Sequence, residues 1–356
     1  MSGLSGAGMP TDPGPGGQIL VRRVGELHGT IDVPGAKNAV LKLMAATILA
    51  DGEYELTNVP AIADVRILGD LLEAIGVQSW SPAPGVLRLS NPGDLVPVAP
   101  YELVERIRAS INVLGPLLTR FGRVRLSMPG GDDFGARPID MHIAGLEAMG
   151  ATFKFSHGEV EATADRLHGA LVTFPFPSVG ATENIVTAAV LADGETTIEN
   201  AAREPEVVDL CQMLVAMGAD ISGIGTSTMV VRGVEQHALR PADHCTVPDR
   251  IQAATYVAAV AVAGGELTIR DARAEHMQNL LARFADMGLE LTASGRTLKV
   301  AAEGRLRSID VQTLPYPGIA TDYKPLVITM LSVADGVGIV TENLYPGRFR
   351  YVEELT

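Results

Sequence analysis

Two basic side chains stand where helices are predicted to begin, and both are candidates for binding an anion. Lys37 follows a Pro-Gly-Ala turn and opens the apolar segment AVLKLMAATILA, while Arg108 opens RASINVLGPLL. A helix N-terminus already carries partial positive charge on its unpaired N–H groups, so a cation there is unfavourable unless an anion compensates it. Anionic ligands bind at such termini. The alternative for Lys37 taken alone is a solvated lysine that opens its helix.

Polar residues stand at comparable junctions later in the chain. Ser178 precedes VGATENIV, Asp249 precedes RIQAATYV, and Asp322 precedes YKPLVI. If these junctions face one cleft, they bring together backbone N–H groups and a few strong charges. The alternative is that each residue only caps its own helix, as Ser and Asp side chains commonly do.

A glycine-rich acidic loop, MPGGDDFGARPIDMH, spans residues 128–142. Its glycines flank Asp132 and Asp133, and Arg137 follows before a predicted helix. This composition is typical of a lid over a polar ligand, and an exposed acidic turn is the alternative. His142 is predicted to be a structural histidine at the start of that helix. No cluster of His, Cys and carboxylate residues has metal-ligand spacing, so no metal or other cofactor is predicted.

The elements that must position these residues repeat along the chain. Anchoring glycines separate a helical segment from a short strand at Gly52, Gly122, Gly194, Gly265 and Gly336. Their spacings are 70, 72, 71 and 71 residues, which gives a period of about 71. A period this long exceeds the usual solenoid unit and fits an α+β subdomain of two helices and several strands.

The copy at residues 189–222 shows the pattern most clearly. It predicts a strand at 196–199 and an amphipathic helix that ends at Gly218. The apolar face of that helix is predicted to contain Val207, Leu210, Leu214 and Met217. Cys211 lies beside this face and is predicted to be a core cysteine. The alternating segment HGTIDV at 28–33 predicts a half-buried strand.

Length and composition narrow the class of protein. The chain has 356 residues, more than one hydrophobic core usually holds, so two domains are expected. Its net charge of −14 argues against a nucleic-acid binder, because no basic stripe is present to neutralise phosphates. No apolar run approaches the roughly 20 residues of a membrane span.

Residues 1–17 are rich in Gly, Ser and Pro, which predicts a disordered tail rather than a signal peptide. Two cysteines are too few for a disulfide framework and indicate a reducing cytoplasm.

Several motifs together carry a resemblance to a known family. In chain order they are PGAKNAVLKLMAATILADG, RASINVLGPL, PGGDDFGARPIDMHIAGLEAMGA, SVGATENI, NAAREPEVVDL, VPDRI, TDYKPL and ITENLYPGRFRYVEEL. The set resembles the UDP-N-acetylglucosamine enolpyruvyl transferases (1-carboxyvinyltransferases), within the wider enolpyruvyl transferase (EPSP synthase-like) family. The KNA and GARP motifs separate this group from its shikimate-pathway relative.

The resemblance implies an α/β fold of two inverse α/β barrels, each built from three of the 71-residue units. The first domain would span residues 37–247, and the second would combine residues 18–36 with 248–356. The period places a sixth anchoring glycine near about 407, beyond Thr356. We therefore expect the C-terminal part of the second domain, with late arginines that the family uses for phosphoenolpyruvate, to be missing from this chain.

The resemblance also implies a reaction. The enolpyruvyl group of phosphoenolpyruvate moves to the 3′-hydroxyl of UDP-N-acetylglucosamine by addition and elimination, with release of phosphate and without a metal. This is the first committed step of peptidoglycan synthesis. Asp322 matches the base at the hydroxyl, and Asp132 replaces the usual cysteine as proton donor. Lys37 and Arg137 match phosphoenolpyruvate contacts, with Asn38 beside them.

The remaining matches concern the nucleotide sugar and the closed site. The implied substrate contacts are Arg108, Pro138, Ile139, Asp140, Met141, Ser178, Val179, Gly180, Leu344 and Arg348. Phe176 replaces a common lysine and Asn112 a common tryptophan, which weakens the carry-over of individual sugar contacts. The alternative function is a non-catalytic paralogue that binds a nucleotide sugar or a partner protein. Oligomeric state has no signal in the sequence.

Overall fold

The structure is a computed structural model that describes residues 20–22, 25–130 and 138–355. Short sheets alternate with helices along these ranges, which makes the fold mixed α/β, as the sequence predicts. The predicted disordered tail and the loop residues Asp132, Asp133 and Arg137 lie outside the described residues. Within the described ranges, no helix combines the length and apolar character that crossing a membrane requires.

The strands of the described ranges follow in chain order. They are β1 Leu27–Asp32, β2 Gly52–Thr57, β3 Gln78–Ala83, β4 Val86–Asn91, β5 Arg123–Ser127, β6 Thr152–Ser156, β7 Glu159–Thr163, β8 Leu171–Thr173, β9 Glu195–Glu199, β10 Asp220–Ser222, β11 Thr228–Arg232, β12 His244–Cys245, β13 Gly265–Arg270, β14 Glu290–Ser294, β15 Thr297–Ala302, β16 Val311–Gln312 and β17 Val340–Thr341. The predicted strand at 28–33 is β1, and the one at 196–199 is β9.

The α-helices are α1 Lys37–Ala46, α2 Ala63–Ile75, α3 Tyr101–Val104, α4 Leu114–Phe121, α5 Asp140–Ala148, α6 Val179–Ala189, α7 Pro205–Ala216, α8 Arg250–Ala263, α9 Gln278–Asp286 and α10 Lys324–Leu331. Short 3-10 helices lie at Thr47–Leu49, Arg108–Val113, Gln236–Ala238, Ala274–His276, Thr321–Tyr323 and Arg350–Leu355. Both sets alternate with the strands.

The five anchoring glycines all have a positive φ. The φ angles of Gly52, Gly122, Gly194, Gly265 and Gly336 are 126°, 67°, 98°, 100° and 97°. Side chains with a Cβ rarely adopt positive φ, so glycine is required where each helix turns into the next strand. Positive φ at all five junctions supports the predicted 71-residue repeat.

The sheets repeat the same pairing. The three four-stranded sheets have the orders β1-β13-β15-β14, β12-β2-β4-β3 and β8-β9-β11-β10, and in each the second strand begins at an anchoring glycine or directly after one. That strand pairs in parallel with the first and antiparallel with the third. The third and fourth strands form a hairpin.

Two strands lie far in sequence from the sheets that they complete. β1 pairs with β13, and β12 pairs with β2. The connecting segments run side by side: the N–H of Ala36 donates to the Val247 carbonyl at 2.7 Å, and the N–H of Asp249 donates to the Pro34 carbonyl at 2.8 Å. The chain therefore passes twice, at one place, between the two halves of the fold.

The buried apolar residues form two separate clusters. One includes the buried faces of α1, α4, α6 and α7, and the other includes those of α8, α9 and α10. The predicted face of α7 is buried in the first cluster, and so is Cys211. Each leucine buried in this way stabilises the fold by about 1.5–3 kcal/mol. Both predictions for α7 are confirmed.

Candidate active site

A cavity of about 1100 Å³ opens where elements of the two clusters meet. Most residues that the sequence singled out line it: Lys37, Asn38, Arg108, Pro138, Met141, Ser178, Val179, Gly180, Asp322, Leu344 and Arg348. Ile139 is instead buried in the first core, and Asp140 is exposed at the start of α5. The cavity is therefore the candidate active site.

A close backbone approach brings Lys37 to the cavity. A Cβ on Gly35 would lie 1.8 Å from the Asn58 carbonyl oxygen, so only glycine fits in the turn before α1. Lys37 is the first residue of α1, as predicted, and its Nζ lies 2.8 Å from a carboxylate oxygen of Asp64. The anion that compensates this lysine is thus a side chain of α2. An anionic ligand must share Lys37 with Asp64 or displace that carboxylate.

Arg108 begins a 3-10 helix, which corrects the expectation of a continuous helix over RASINVLGPLL. Pro116 has no N–H to donate to the Asn112 carbonyl, so the α-helical pattern begins only at Leu114, with Pro116 in the first turn of α4. The Arg108 guanidinium donates to the carbonyls of Pro129 at 3.4 Å and Pro138 at 3.5 Å. It therefore contacts both sides of the segment 131–137.

Two of the three expected helix caps are present. The Ser178 hydroxyl accepts from the Ala181 N–H at 3.4 Å, and an Asp249 carboxylate oxygen accepts from the N–H groups of Ile251 and Gln252 at 2.8 and 3.1 Å. The capping alternative is wrong for Asp322, which lies inside the 3-10 helix Thr321–Tyr323.

The Asp322 carboxylate points to another side chain of the cavity. It accepts a hydrogen bond from the Arg348 guanidinium at 2.8 Å. The two side chains are 36% and 17% exposed, respectively, so a ligand in the cavity can reach the carboxylate. A carboxylate in this position can remove a proton from a bound hydroxyl group.

Sequence reasoning missed a lysine and a glutamate at the floor of the cavity. Lys42 Nζ lies 3.6 Å from the carboxylate of Glu183, which is 1% exposed. The same Lys42 Nζ donates to the Asn38 carbonyl at 2.6 Å. Burial raises the pKa of Glu183 to about 7, although the charge of Lys42 opposes this shift. The available signal was a single charge in the middle of each of two largely apolar helices, α1 and α6.

A second ion pair that the sequence did not reveal joins α7, of the first buried cluster, to α8, of the second, at the cavity. Arg250, on α8, donates to both carboxylate oxygens of Glu206, on α7, at 2.9 and 3.2 Å. Arg250 also donates to the Tyr323 hydroxyl at 3.1 Å. Bidentate geometry of this kind fixes the direction as well as the distance between two elements.

His142 is buried in the first turn of α5, as the structural interpretation predicts, and it also lines the cavity. Its Nδ1 lies 3.0 Å from the Asn184 side-chain nitrogen, while the Asn184 oxygen accepts from the Gly115 N–H at 2.8 Å. Burial, with a smaller effect of the Arg108 charge, lowers the pKa of His142 to about 4. The imidazole is therefore neutral, with its proton on Nε2.

The cavity as a whole pairs cations with carboxylates: Lys37 with Asp64, Lys42 with Glu183, Arg250 with Glu206, and Arg348 with Asp322. Among the described residues, no group of three His, Cys, Asp or Glu side chains has the arrangement that a metal ion needs. What the site offers is a set of positive groups for anions and a reachable carboxylate for a proton.

The chain resembles known proteins in both sequence and fold. Residues 21–356 match the family described as EPSP synthase (3-phosphoshikimate 1-carboxyvinyltransferase). The chain therefore belongs to that family. It is also similar in structure to the enolpyruvyl transferase NikO from Streptomyces tendae, with a TM-score of 0.84, 24% identity, and coverage of 93% of this chain and 78% of that one.

Similarity in sequence is greater to one branch of the family. The chain is 46% identical over 329 residues to UDP-N-acetylglucosamine 1-carboxyvinyltransferase of Corynebacterium jeikeium, covering 92% of this chain and 78% of that protein. It is 45% identical over 340 residues to the protein of the same name from Mycobacterium leprae, covering 95% and 80%.

Proposed function

We propose that this protein is an enolpyruvyl transferase that joins phosphoenolpyruvate to the 3′-hydroxyl of UDP-N-acetylglucosamine and releases phosphate. The observation that carries the proposal is the cavity, in which Lys37, Arg108, Asp322 and Arg348 converge. Relatives with 45–46% identity over more than nine tenths of the chain carry the name of this activity. The reaction is the first committed step of peptidoglycan synthesis in the cytoplasm, so it supports cell shape and division.

The bonds made and broken assign the roles of the residues. Asp322 removes the proton of the 3′-hydroxyl while the hydroxyl oxygen bonds to C2 of phosphoenolpyruvate. Asp132 supplies a proton to C3. In the elimination, C3 of the tetrahedral intermediate returns a proton to the Asp132 carboxylate, and the bond between C2 and the phosphate oxygen breaks. The proton held by Asp322 passes to the departing phosphate. The products are the enolpyruvyl sugar nucleotide and inorganic phosphate, so atoms and charges balance without a metal or other cofactor.

Positive groups at the cavity support the binding of both substrates. Lys37 and Arg137 contact phosphoenolpyruvate, with Asn38 beside them. The nucleotide sugar contacts Arg108, Arg348, Leu344, Pro138 and Met141, and the N-terminus of α6 at 178–180. Phosphate groups bind well at a helix N-terminus because free N–H groups point outward there.

We further propose that the two buried clusters mark two domains, one over residues 37–247 and the other over 18–36 with 248–356. The paired crossing segments at Ala36–Val247 and Pro34–Asp249 would then form the hinge. Closure of the domains would exclude water from the cavity and protect the intermediate.

An aspartate at position 132 also implies resistance to the epoxide fosfomycin. The thiolate of cysteine is a strong nucleophile toward an epoxide, whereas a carboxylate is far weaker. We propose that the protein is not alkylated at this position.

The proposed function is tested by phosphate release from protein produced from its whole gene. Release should require both substrates and should not occur with shikimate 3-phosphate as the acceptor. Calorimetry with UDP-N-acetylglucosamine provides the second arm. Binding of the sugar nucleotide without turnover would identify a non-catalytic binding protein, and release with shikimate 3-phosphate would assign the other branch of the family.

A further inference from the structure

An ion pair is completely buried behind the wall of the cavity that contains Asp322. Lys324, in the first turn of α10, lies with its Nζ 2.9 Å from a carboxylate oxygen of Glu342, which follows β17. Both side chains are 0% exposed, and neither lines the cavity. The Lys324 ammonium also lies 3.8 Å from the centre of the Phe349 ring.

The Glu342 carboxylate joins three segments of the chain. One oxygen accepts from the Thr313 hydroxyl at 2.7 Å and from the N–H groups of Leu344 and Tyr345 at 2.8 and 3.0 Å. The other accepts from the Thr321 hydroxyl at 2.8 Å. Burial acts to raise the pKa of Glu342, but these hydrogen bonds and Lys324 outweigh it and lower the pKa to about 2.

The segments joined in this way carry the groups proposed to act on substrate. Asp322 stands between Thr321 and Lys324, both of which contact Glu342. Leu344 and Arg348 lie on the loop whose backbone donates to the same carboxylate, and Arg348 reaches back to Asp322 at 2.8 Å. The carboxylate of Glu342 thus links the turn that carries Asp322 to the loop that carries Arg348.

Buried ion pairs are weak sources of stability, because the cost of removing two charges from water offsets most of their attraction. Their directional contacts instead favour one arrangement over others. We propose that Glu342 and Lys324 are positioning residues that hold Asp322 and Arg348 in reactive geometry. This proposal rests on the proposed function.

The test compares Glu342→Gln with Lys324→Met. Glutamine keeps the size of the side chain but replaces one accepting oxygen with a donor, so the turn and the loop separate. A misplacement near 1 Å is expected to lower kcat by about 10²-fold, with a much smaller change in KM for the sugar nucleotide. Lys324→Met leaves Glu342 without its cation and should lower kcat in the same direction.

The matched control is Val300→Ala, a cavity-forming change on β15 in the apolar cluster that also contains Tyr323 and Val327. It should lower the melting temperature without changing kcat. Equal fractional losses of kcat in Glu342→Gln and Val300→Ala would overturn the proposal, because the effect would then be general destabilisation.

Hydrogen exchange of the ligand-free protein separates this proposal from the proposed function. The amides of Leu344 and Tyr345 should exchange slowly in the parent protein and much faster in Glu342→Gln, while Val300→Ala should leave them slow. Fast exchange in the parent protein would overturn the positioning role. A parent protein with slow exchange but no enolpyruvyl transfer would instead overturn the proposed function.

Discussion

Replacing Glu183 with glutamine should make the protein's stability less sensitive to pH. The pKa of this carboxyl group is about 7 in the folded protein, against an ordinary value of 4.5, because the group is buried and lies near Glu206 and Glu204. Lys42, at 3.6 Å, offsets only part of the shift. A raised folded-state pKa means that the folded chain holds a proton which the unfolded chain releases.

The sign and size of the effect follow from that difference. The contribution of Glu183 is full below pH 4.5 and is lost as the pH rises through about 7. At 1.36 kcal/mol for each pKa unit, the loss is about 3 kcal/mol. Glutamine does not ionise, so its advantage over glutamate should grow by about 3 kcal/mol between pH 4.5 and 8.

The measurement is the free energy of unfolding by urea for parent and Glu183→Gln across this pH range. Glu147→Gln, at an exposed position of α5, controls for the loss of one negative charge and should shift stability by less than about 1 kcal/mol. A constant difference between parent and Glu183→Gln at every pH would refute the reasoning.

Three further predictions concern the cavity. Asp322→Asn should lower kcat by at least about 10² while the calorimetric affinity for UDP-N-acetylglucosamine changes little, because the amide cannot accept the proton; near-normal turnover would remove Asp322 from the chemistry. Asp64→Asn frees Lys37 from its carboxylate and should tighten phosphoenolpyruvate binding about two- to fivefold, an effect that disappears at high salt; weaker binding would show that Asp64 supports the ligand instead. Asp132→Cys should retain turnover and gain a fosfomycin adduct in intact-mass spectra, and an adduct on the parent protein would contradict the assignment of position 132.

Local features of the fold were predictable from the sequence because single residues determine them. Glycine stands at all five predicted positions because the backbone there has positive φ, which residues with a Cβ rarely adopt. Ser178 and Asp249 cap helices because their side chains need only reach N–H groups two or three residues away.

The contacts of the site were not predictable in the same way. Lys42 and Glu183 are 141 residues apart in the chain, and only the packing of both α1 and α6 against α7 brings them together. From the sequence, Asp322 stands where a helix cap is expected. In the structure it pairs with Arg348, because the chain after β17 returns to the start of α10. Family resemblance identified residues that line the cavity, whereas the buried Lys324–Glu342 pair behind them needed the tertiary structure.

The central claim, that the cavity is a site of enolpyruvyl transfer, is tested most directly with phosphoenolpyruvate carrying ¹⁸O in its bridging C–O–P oxygen. Addition and elimination break the C–O bond, so the label should leave entirely in inorganic phosphate while UDP-N-acetylglucosamine gains the enolpyruvyl group. The assay uses protein produced from the whole gene, with mass spectrometry of both products. Unlabelled phosphate would indicate P–O cleavage, and it would contradict enolpyruvyl transfer, as would the absence of the enolpyruvyl sugar nucleotide.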